Sequence, residues 1–546
     1  MPLDRSSCYR ALSARDARFD GVFFVGVTST RIYCRPVCRV KTPREANCRY
    51  FSHAAAAERA GFRPCLRCRP ELAPGTALVD ATAQLAERAT RAIAAGALNG
   101  GSLERLATSL GVTSRHLRRA VAAHIGVSPI DLATTHRLLL AKRLLHETSL
   151  PVAQVAFAAG FESLRRFNAA FKGRYRLAPG ALRRAATPGD EPVPPAAVRV
   201  GRRKDADDAS RRGAPPPDAS PVELTLEYRP PLDWESLSQF LAARATPGAE
   251  YVEAGRYVTT VRIPRSATGT FTAPALADWG AEREVVGHIE VEWRAARADG
   301  GRVTAVRRAG TIAVRLSASL LPALMPLLAR LRDLLDLDAN PDAIARHLVR
   351  AGVAESAASF GGIRIPGTLD GFSLAVRAIL GQQVSVKGAT TVMGRLVERF
   401  GEPYAGSDPR LTRLMPTAAT LASCTTGDIA SLGMPGARAD AVLALAHAVA
   451  SGALVLAPGG DVTASIRTLT GLPGIGDWTA HYIAMRALRW PDAFPANDLV
   501  LRRAAGNATA AQLLKRAEDW RPWRAYAAMH LWRTVSSAPV TPSSRK

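Results

Sequence analysis

Leu472-Pro473-Gly474-Ile475-Gly476-Asp477-Trp478-Thr479-Ala480 lies between two stretches of helical periodicity, and its two glycines decide how the back half of the chain is read. Gly474 and Gly476 permit a tight turn, and the amides exposed where the next helix starts can hold a phosphate without reading a base. Alone, the stretch points to DNA binding rather than to catalysis. The plainer alternative is a Gly/Pro turn between two helices. Downstream, Phe494-Pro495-Ala496-Asn497-Asp498 sets a carboxylate just before Leu499-Val500-Leu501. That acid is either a helix cap or a group placed for chemistry.

Outward from this stretch, the pattern from Ser317 almost to the end is helical. Residues 221–305 contain alternating segments, 257–263 and 288–293, that predict a small sheet. Residues 187–220 hold Pro192, Pro194, Pro195, Pro215, Pro216 and Pro217 with six basic and six acidic residues, and read as a flexible linker. Residues 80–185 are helical by periodicity. Residues 1–75 are cysteine-rich, with a strand-like run at 21–28 and a short helix around 54–60. A chain of 546 residues exceeds one hydrophobic core and should split into three to five domains.

The formal net charge of +25 is unevenly placed. Residues 1–186 hold 30 lysines and arginines against 12 acidic residues, and a surplus that concentrated favours a polyanion partner. No run of 18 apolar residues occurs, so a membrane span is not expected. The first residues lack the apolar core of a signal peptide, so the expected location is the cytoplasm.

Six of the seven cysteines precede Arg69. Cys34-x3-Cys38 and Cys65-x2-Cys68 form two chelating pairs, and the 26 residues between them are enough to fold back into one tetrahedral Zn²⁺ site. The site is either a structural staple or a reactive thiolate centre, because zinc keeps a thiolate deprotonated at neutral pH. Cys8 and Cys48 fall outside both pairs and are taken as non-ligands, and Cys424 reads as a buried apolar residue.

Two helix–glycine–helix units follow. Ser102–Ala107 opens a helix that Gly111 breaks, and a second helix at 113–123 carries Arg115, His116, Arg118 and Arg119. Some fifty residues on, a helix at 151–159 ends at Gly160, and one at 163–174 carries Arg165, Arg166, Asn168 and Lys172. Each second helix is basic enough to enter a major groove. Phe161, Phe167 and Phe171 read as core.

Three resemblances rest on these residues. Ile32-Tyr33-Cys34-Arg35-Pro36-Val37-Cys38, Asn47-Cys48-Arg49-Tyr50-Phe51 and Ala60-Gly61-Phe62-Arg63-Pro64-Cys65-Leu66-Arg67-Cys68 closely resemble the N-terminal domain of Ada-type adaptive-response proteins. That resemblance implies that Cys34 irreversibly accepts a methyl group from a DNA methylphosphotriester, with Arg35, Lys41, Arg63 and Arg67 near the phosphate. Methylation would reduce the formal charge of the zinc centre from −2 to −1 and tighten DNA binding. The paired helices, from Gly160-Phe161-Glu162-Ser163 to Pro179, resemble an AraC-type tandem helix-turn-helix. Arg176 stands where that signature usually has glycine, so a changed turn and an impaired second reader are expected.

The opening stretch matches the helix–hairpin–helix motif. With Asp498, Val376-Arg377-Ala378-Ile379-Leu380-Gly381-Gln382-Gln383-Val384-Ser385-Val386, Arg521-Pro522-Trp523-Arg524-Ala525-Tyr526 and His530-Leu531-Trp532, the back half resembles AlkA-type 3-methyladenine DNA glycosylases from about residue 222 to 536. This implies Asp498 as the catalytic carboxylate and Trp478, Tyr482 and Trp532 as base-pocket aromatics. Stacking would favour cationic alkylpurines by roughly 0.5–2 kcal/mol. Gln383 takes the place of an apolar wedge. Strand-cutting relatives carry a lysine where Trp478 stands, so the expected activity is monofunctional. Only Cys424 lies beyond residue 68, so no iron–sulfur cluster is expected.

The expected architecture is therefore multidomain. It comprises a small zinc-bound α/β domain (1–75), an all-α tandem helix-turn-helix (80–185), a linker (186–220), a small α+β sheet domain (221–305) and an all-α helix–hairpin–helix glycosylase domain (306–540). Expected partners are alkylated and promoter double-stranded DNA and RNA polymerase, with the chain acting as a monomer. No Pro-Cys-His-Arg sequence occurs, so reversal at guanine O6 is not expected. The alternative reading is a DNA-binding transcription regulator with a structural zinc and a non-catalytic glycosylase-like domain.

Overall fold

The computed structural model describes residues 5–15, 23–38, 40–51, 57–58, 60–65, 67–68, 70, 78–185, 221–264, 284–294 and 310–537. The expected linker lies outside the described residues, as does most of the short helix expected near residue 57. The chain divides into two compact units, Met1–Arg91 with Leu110–Pro129 and Ala92–Ser109 with Ile130–Lys546.

In the first unit, helix Arg5–Ala14 precedes a four-stranded sheet. Its strands are β1 (Phe24–Val27), β2 (Ile32–Cys34), β3 (Cys48–Phe51) and β4 (Arg63–Pro64), ordered β3-β1-β2-β4. The helix went unread in the sequence because ten residues with little apolar character give a weak periodic signal. Phe23, Val25, Cys8 and Cys48 form one small apolar cluster, and Phe24, Tyr33 and Phe62 another. Two such clusters are a thin core, so a metal staple has much to contribute.

The second unit contains a five-stranded antiparallel sheet, ordered β5-β9-β8-β7-β6. Its strands are β5 (Val222–Tyr228), β6 (Glu250–Glu253), β7 (Arg256–Pro264), β8 (Glu284–Arg294) and β9 (Gly310–Leu316). In β8, Val285, Gly287, Ile289 and Val291 are buried while their neighbours are less so, the period-two pattern of a half-covered sheet. Beyond β9 the described chain is helical, as expected. The helix Gly371–Leu380 is buried almost all round and runs through the centre of the helical core.

Asp336 and Asp492 anchor that core. Asp336 accepts hydrogen bonds from Tyr526 Oη at 2.7 Å and from the Ile365 amide at 3.1 Å, and pairs with Arg489. Arg524 grips Asp492 through Nε at 2.7 Å and a terminal nitrogen at 2.9 Å. Two residues of the downstream motif, Arg524 and Tyr526, thus hold architecture rather than touch the cleft. No helix among the described residues is long and apolar enough to cross a membrane.

Candidate functional site

The helix–hairpin–helix joins helix Val462–Thr470 to helix Asp477–Arg486. Gly474 adopts φ +74°, and a Cβ there would lie 2.9 Å from the Ala441 methyl, so both conformation and packing require glycine. Gly476 differs from expectation. Its φ is −87°, which any residue adopts, and a Cβ would meet nothing within 4 Å. Gly476 therefore leaves room rather than enabling the turn. Both glycines are exposed while Ile475 is buried, so the hairpin is pinned from within and presents Gly474 and Gly476 at the surface.

The carboxylate of Asp498 caps helix Leu499–Ala504, with Oδ1 accepting the Leu501 amide at 2.8 Å. Trp532 Nε1 also donates to Oδ1, at 3.0 Å, and Trp478 Nε1 donates to Oδ2, at 2.8 Å. The cap and the candidate catalytic role are thus not alternatives: the cap fixes the acid, and two indoles aim it. Asp498, Trp478, Tyr482 and Trp532 all line one cleft of about 870 Å³. The Trp478 and Tyr482 rings stack with centroids 5.2 Å apart and planes 8° from parallel.

The cleft has members that sequence reasoning missed. Phe240 and Arg244, from helix Trp234–Ala242 and the residues just after it in the sheet domain, form part of its wall, with Arg377, Val500 and Met529. The Arg244 guanidinium carbon sits 3.7 Å from the Phe240 ring centroid. Buried Arg486 donates to Tyr482 Oη at 2.8 Å, to Pro366 O at 2.7 Å and to Gly367 O at 3.1 Å. Burial alone would push the Tyr482 phenol up, but the charges of Arg486 and Arg244 outweigh it and hold it below its ordinary value. Nothing local in the sequence marks Phe240, which lies more than two hundred residues before Asp498.

Gln383 is exposed at φ +56°, in the loop between helices Gly371–Leu380 and Val386–Phe400. Its neighbour Gln382 ties that loop to the hairpin, donating from Nε2 to Gly474 O at 2.9 Å and Thr479 Oγ1 at 3.0 Å. The expected wedge thus stands in a loop tied to the hairpin turn.

In the first unit, parallel pairing of β2 with β4 brings the two cysteine pairs together, with the Cys65 amide bonded to Tyr33 O at 3.0 Å. The four sulfurs of Cys34, Cys38, Cys65 and Cys68 lie within 4.8 Å of one another. Tetrahedral zinc with bonds of about 2.3 Å needs sulfurs about 3.8 Å apart, so the set fits the metal. Cys8 and Cys48 sit in the separate apolar cluster. Hydrogen bonding to Cys68, burial and the neighbouring sulfurs all push the Cys34 thiol upward, which a divalent cation would reverse. Arg35 partly turns inward: its amide reaches Cys68 Sγ at 3.4 Å and its guanidinium reaches Cys68 O at 3.2 Å. Lys41, Arg63 and Arg67 are exposed.

The helix-turn-helix copies repeat with an offset of fifty residues. Thr113 caps helix Ser114–Ile125, and Ser163 caps helix Leu164–Tyr175. Gly126 ends the first at φ +84° and Arg176 ends the second at φ +59°. The expected change of turn geometry therefore does not occur: Arg176 takes the left-handed conformation itself, at a cost of about 1 kcal/mol. Arg115, Arg118, Arg165 and Arg166 are exposed, whereas Phe161, Phe167 and Phe171 are buried with successive ring centroids 5.2 and 5.4 Å apart.

Comparison with known proteins agrees with this arrangement. Four family profiles match: the metal binding domain of Ada over residues 7–71, a helix-turn-helix domain over 106–185, the AlkA N-terminal domain over 223–370, and the HhH-GPD superfamily base excision DNA repair protein over 376–518. A probable bifunctional transcriptional activator/DNA repair enzyme AlkA of Mycobacterium tuberculosis is 38% identical over 541 residues, covering 97% of each chain. DNA-3-methyladenine glycosylase 2 of Escherichia coli is 34% identical over 58% of this chain and 98% of its own length. The bifunctional transcriptional activator/DNA repair enzyme Ada of Escherichia coli is 33% identical over 22% of this chain and 33% of its own.

Proposed function

The chain belongs to the family of AlkA-type bifunctional transcriptional activators and DNA repair enzymes, and from that premise we propose how its two chemical centres divide the labour. The back half is a DNA-3-methyladenine glycosylase that hydrolyses the N-glycosidic bond of alkylated purines. The observation that carries this reading is the Asp498 carboxylate, held by two indole N–H groups inside an aromatic cleft.

The hairpin amides of Gly474 and Gly476 hold the backbone, and Gln383 fills the gap left when the damaged nucleotide turns out of the stack. The base enters the cleft against Trp478, Tyr482 and Trp532. As the glycosidic bond breaks, its electrons go to the base, which leaves neutral if it entered as a cation. Asp498 faces the positive charge that grows on the sugar and orients the water that adds to the anomeric carbon, whose proton passes to solvent. With tryptophan at position 478 no Schiff base forms, so the strand is not cut.

The zinc domain accepts the methyl group of a methylphosphotriester. Cys34, Cys38, Cys65 and Cys68 would hold a zinc ion, which when bound would keep their sulfurs as thiolates. Cys34 sulfur attacks the methyl carbon, the carbon–oxygen bond breaks, and the phosphate leaves as the ordinary diester anion. The Arg35 amide donates to the Cys68 sulfur, which draws electron density from that sulfur and leaves it a poorer nucleophile. Lys41, Arg63 and Arg67, with Arg35 beside Cys68, steady the phosphate. The methylated protein, carrying one less negative charge, binds promoter DNA through Arg115, Arg118, Arg165 and Arg166 and acts as a monomeric activator that recruits RNA polymerase.

The decisive experiment is release of 3-methyladenine from methylated duplex by the wild type and by Asp498→Asn. The variant is expected to lose at least about a hundredfold in rate while still binding DNA. An inactive wild type would leave a regulator with a non-catalytic back half.

A further inference from the structure

Helix Pro129–Glu147, which connects the two helix-turn-helix copies, carries Leu138, Ala141, Leu144 and Leu145 on one buried face. That face belongs to a continuous apolar cluster containing Val155, Phe167 and Phe171 of the second helix-turn-helix together with Val222, Leu224 and Leu226 of β5. Helix Val152–Ala158, the first helix of that copy, packs on the turn Ala318–Ala323 that follows β9.

Polar contacts at this junction match an otherwise unmet need of the sheet. Among the described residues β5 pairs only with β9, so alternate peptide groups of β5 point to an edge no described strand covers. At Thr225 both outward groups are met from the regulator helix. Glu147 Oε2 accepts the Thr225 amide at 2.8 Å, and the Arg143 guanidinium donates to the Thr225 carbonyl. The two side chains are themselves paired at 2.9 Å, one helical turn apart. Together they offer the donor and acceptor that a neighbouring strand would have offered.

A second link lies elsewhere on the junction. Asn99 donates from Nδ2 to Met325 Sδ at 3.0 Å, and its Oδ1 accepts from Arg137 Nε at 2.7 Å. Gly160, the turn glycine of the second copy, approaches Asn99 so closely that a Cβ would come within 2.2 Å of it. Its φ of +87° suits the turn, while the close approach serves the junction.

We infer that the second helix-turn-helix is the docking partner of the glycosylase sheet, with Arg143 and Glu147 closing the edge of β5, so that this helix-turn-helix and the sheet form one body. The docked surface leaves Arg165, Arg166 and Lys172 exposed on the reading helix, so docking and DNA binding are compatible. The inference is independent of the catalytic assignment.

Hydrogen exchange on the full-length, zinc-loaded chain tests it, read on fragments covering β5 with β8 as internal control. The Thr225 amide should be protected in the wild type and exchange about tenfold faster in Arg143→Ala/Glu147→Ala, with β8 unchanged. Glu147→Gln, nearly isosteric, guards against misfolding of the double variant and should give a smaller acceleration at the same fragment. An unprotected Thr225 amide in the wild type, or wild-type protection retained in Arg143→Ala/Glu147→Ala, would overturn the docking.

Discussion

The zinc centre and the glycosylase cleft solve the problem of placing reactive groups in opposite ways. The zinc site draws its four sulfurs from two short chelating pairs, joined by one parallel strand contact. The cleft draws its wall from residues running from Asp233 to Arg533, gathered from several helices far apart in sequence. The first site is assembled by a metal that a thin core cannot replace. The second is assembled by a large core that needs no metal to hold Asp498. A site of the first kind should fail all at once when its ion leaves, and a site of the second kind should degrade one contact at a time.

Metal removal is the sharpest way to separate the two. Stripping zinc with a chelator should abolish methyl acceptance and unfold the front domain, since structural zinc contributes on the order of 10 kcal/mol. Excision of 3-methyladenine should persist at near its original rate. Loss of both activities together, measured on one preparation, would show that the two centres are not separable in this way.

Within the cleft the contacts should yield stepwise. Trp532→Phe keeps an aromatic wall but deletes the donor to Asp498 Oδ1, leaving the Leu501 amide and the Trp478 donor in place. A loss of about tenfold in the single-turnover excision rate is expected, with DNA affinity little changed. A rate equal to that of Asp498→Asn would mean that the indole does more than aim the acid.

The hairpin gives the finest contrast. Gly474→Ala must strain a left-handed residue and crowd Ala441, which should cost about 1–2 kcal/mol in thermal or denaturant unfolding. Gly476→Ala meets no atom and should leave stability within about 0.5 kcal/mol, while its methyl at the outward face weakens duplex binding. Equal destabilisation by both would contradict the distinct roles of the two glycines.

Much of this was legible in the chain. The two cysteine pairs, the fifty-residue repeat of helix, turn and basic helix, and the hairpin followed by an acid each carry their spacing in the sequence. Local geometry accounts for that legibility: chelate rings, caps and turns involve residues only a few positions apart. Arg176 shows the limit even there, because a left-handed turn without glycine reads as a defect until its φ is seen.

Local residue order, then, was enough to state which chemistries the chain holds, because each rests on a short motif with a physical requirement at a given spacing. Tertiary structure alone decided that Phe240 and Arg244 line the cleft, that Arg486 holds its Tyr482, and that Arg143 and Glu147 meet the open edge of β5. Those contacts join residues separated by dozens to hundreds of positions through burial and edge pairing, and such forces leave no local period to read.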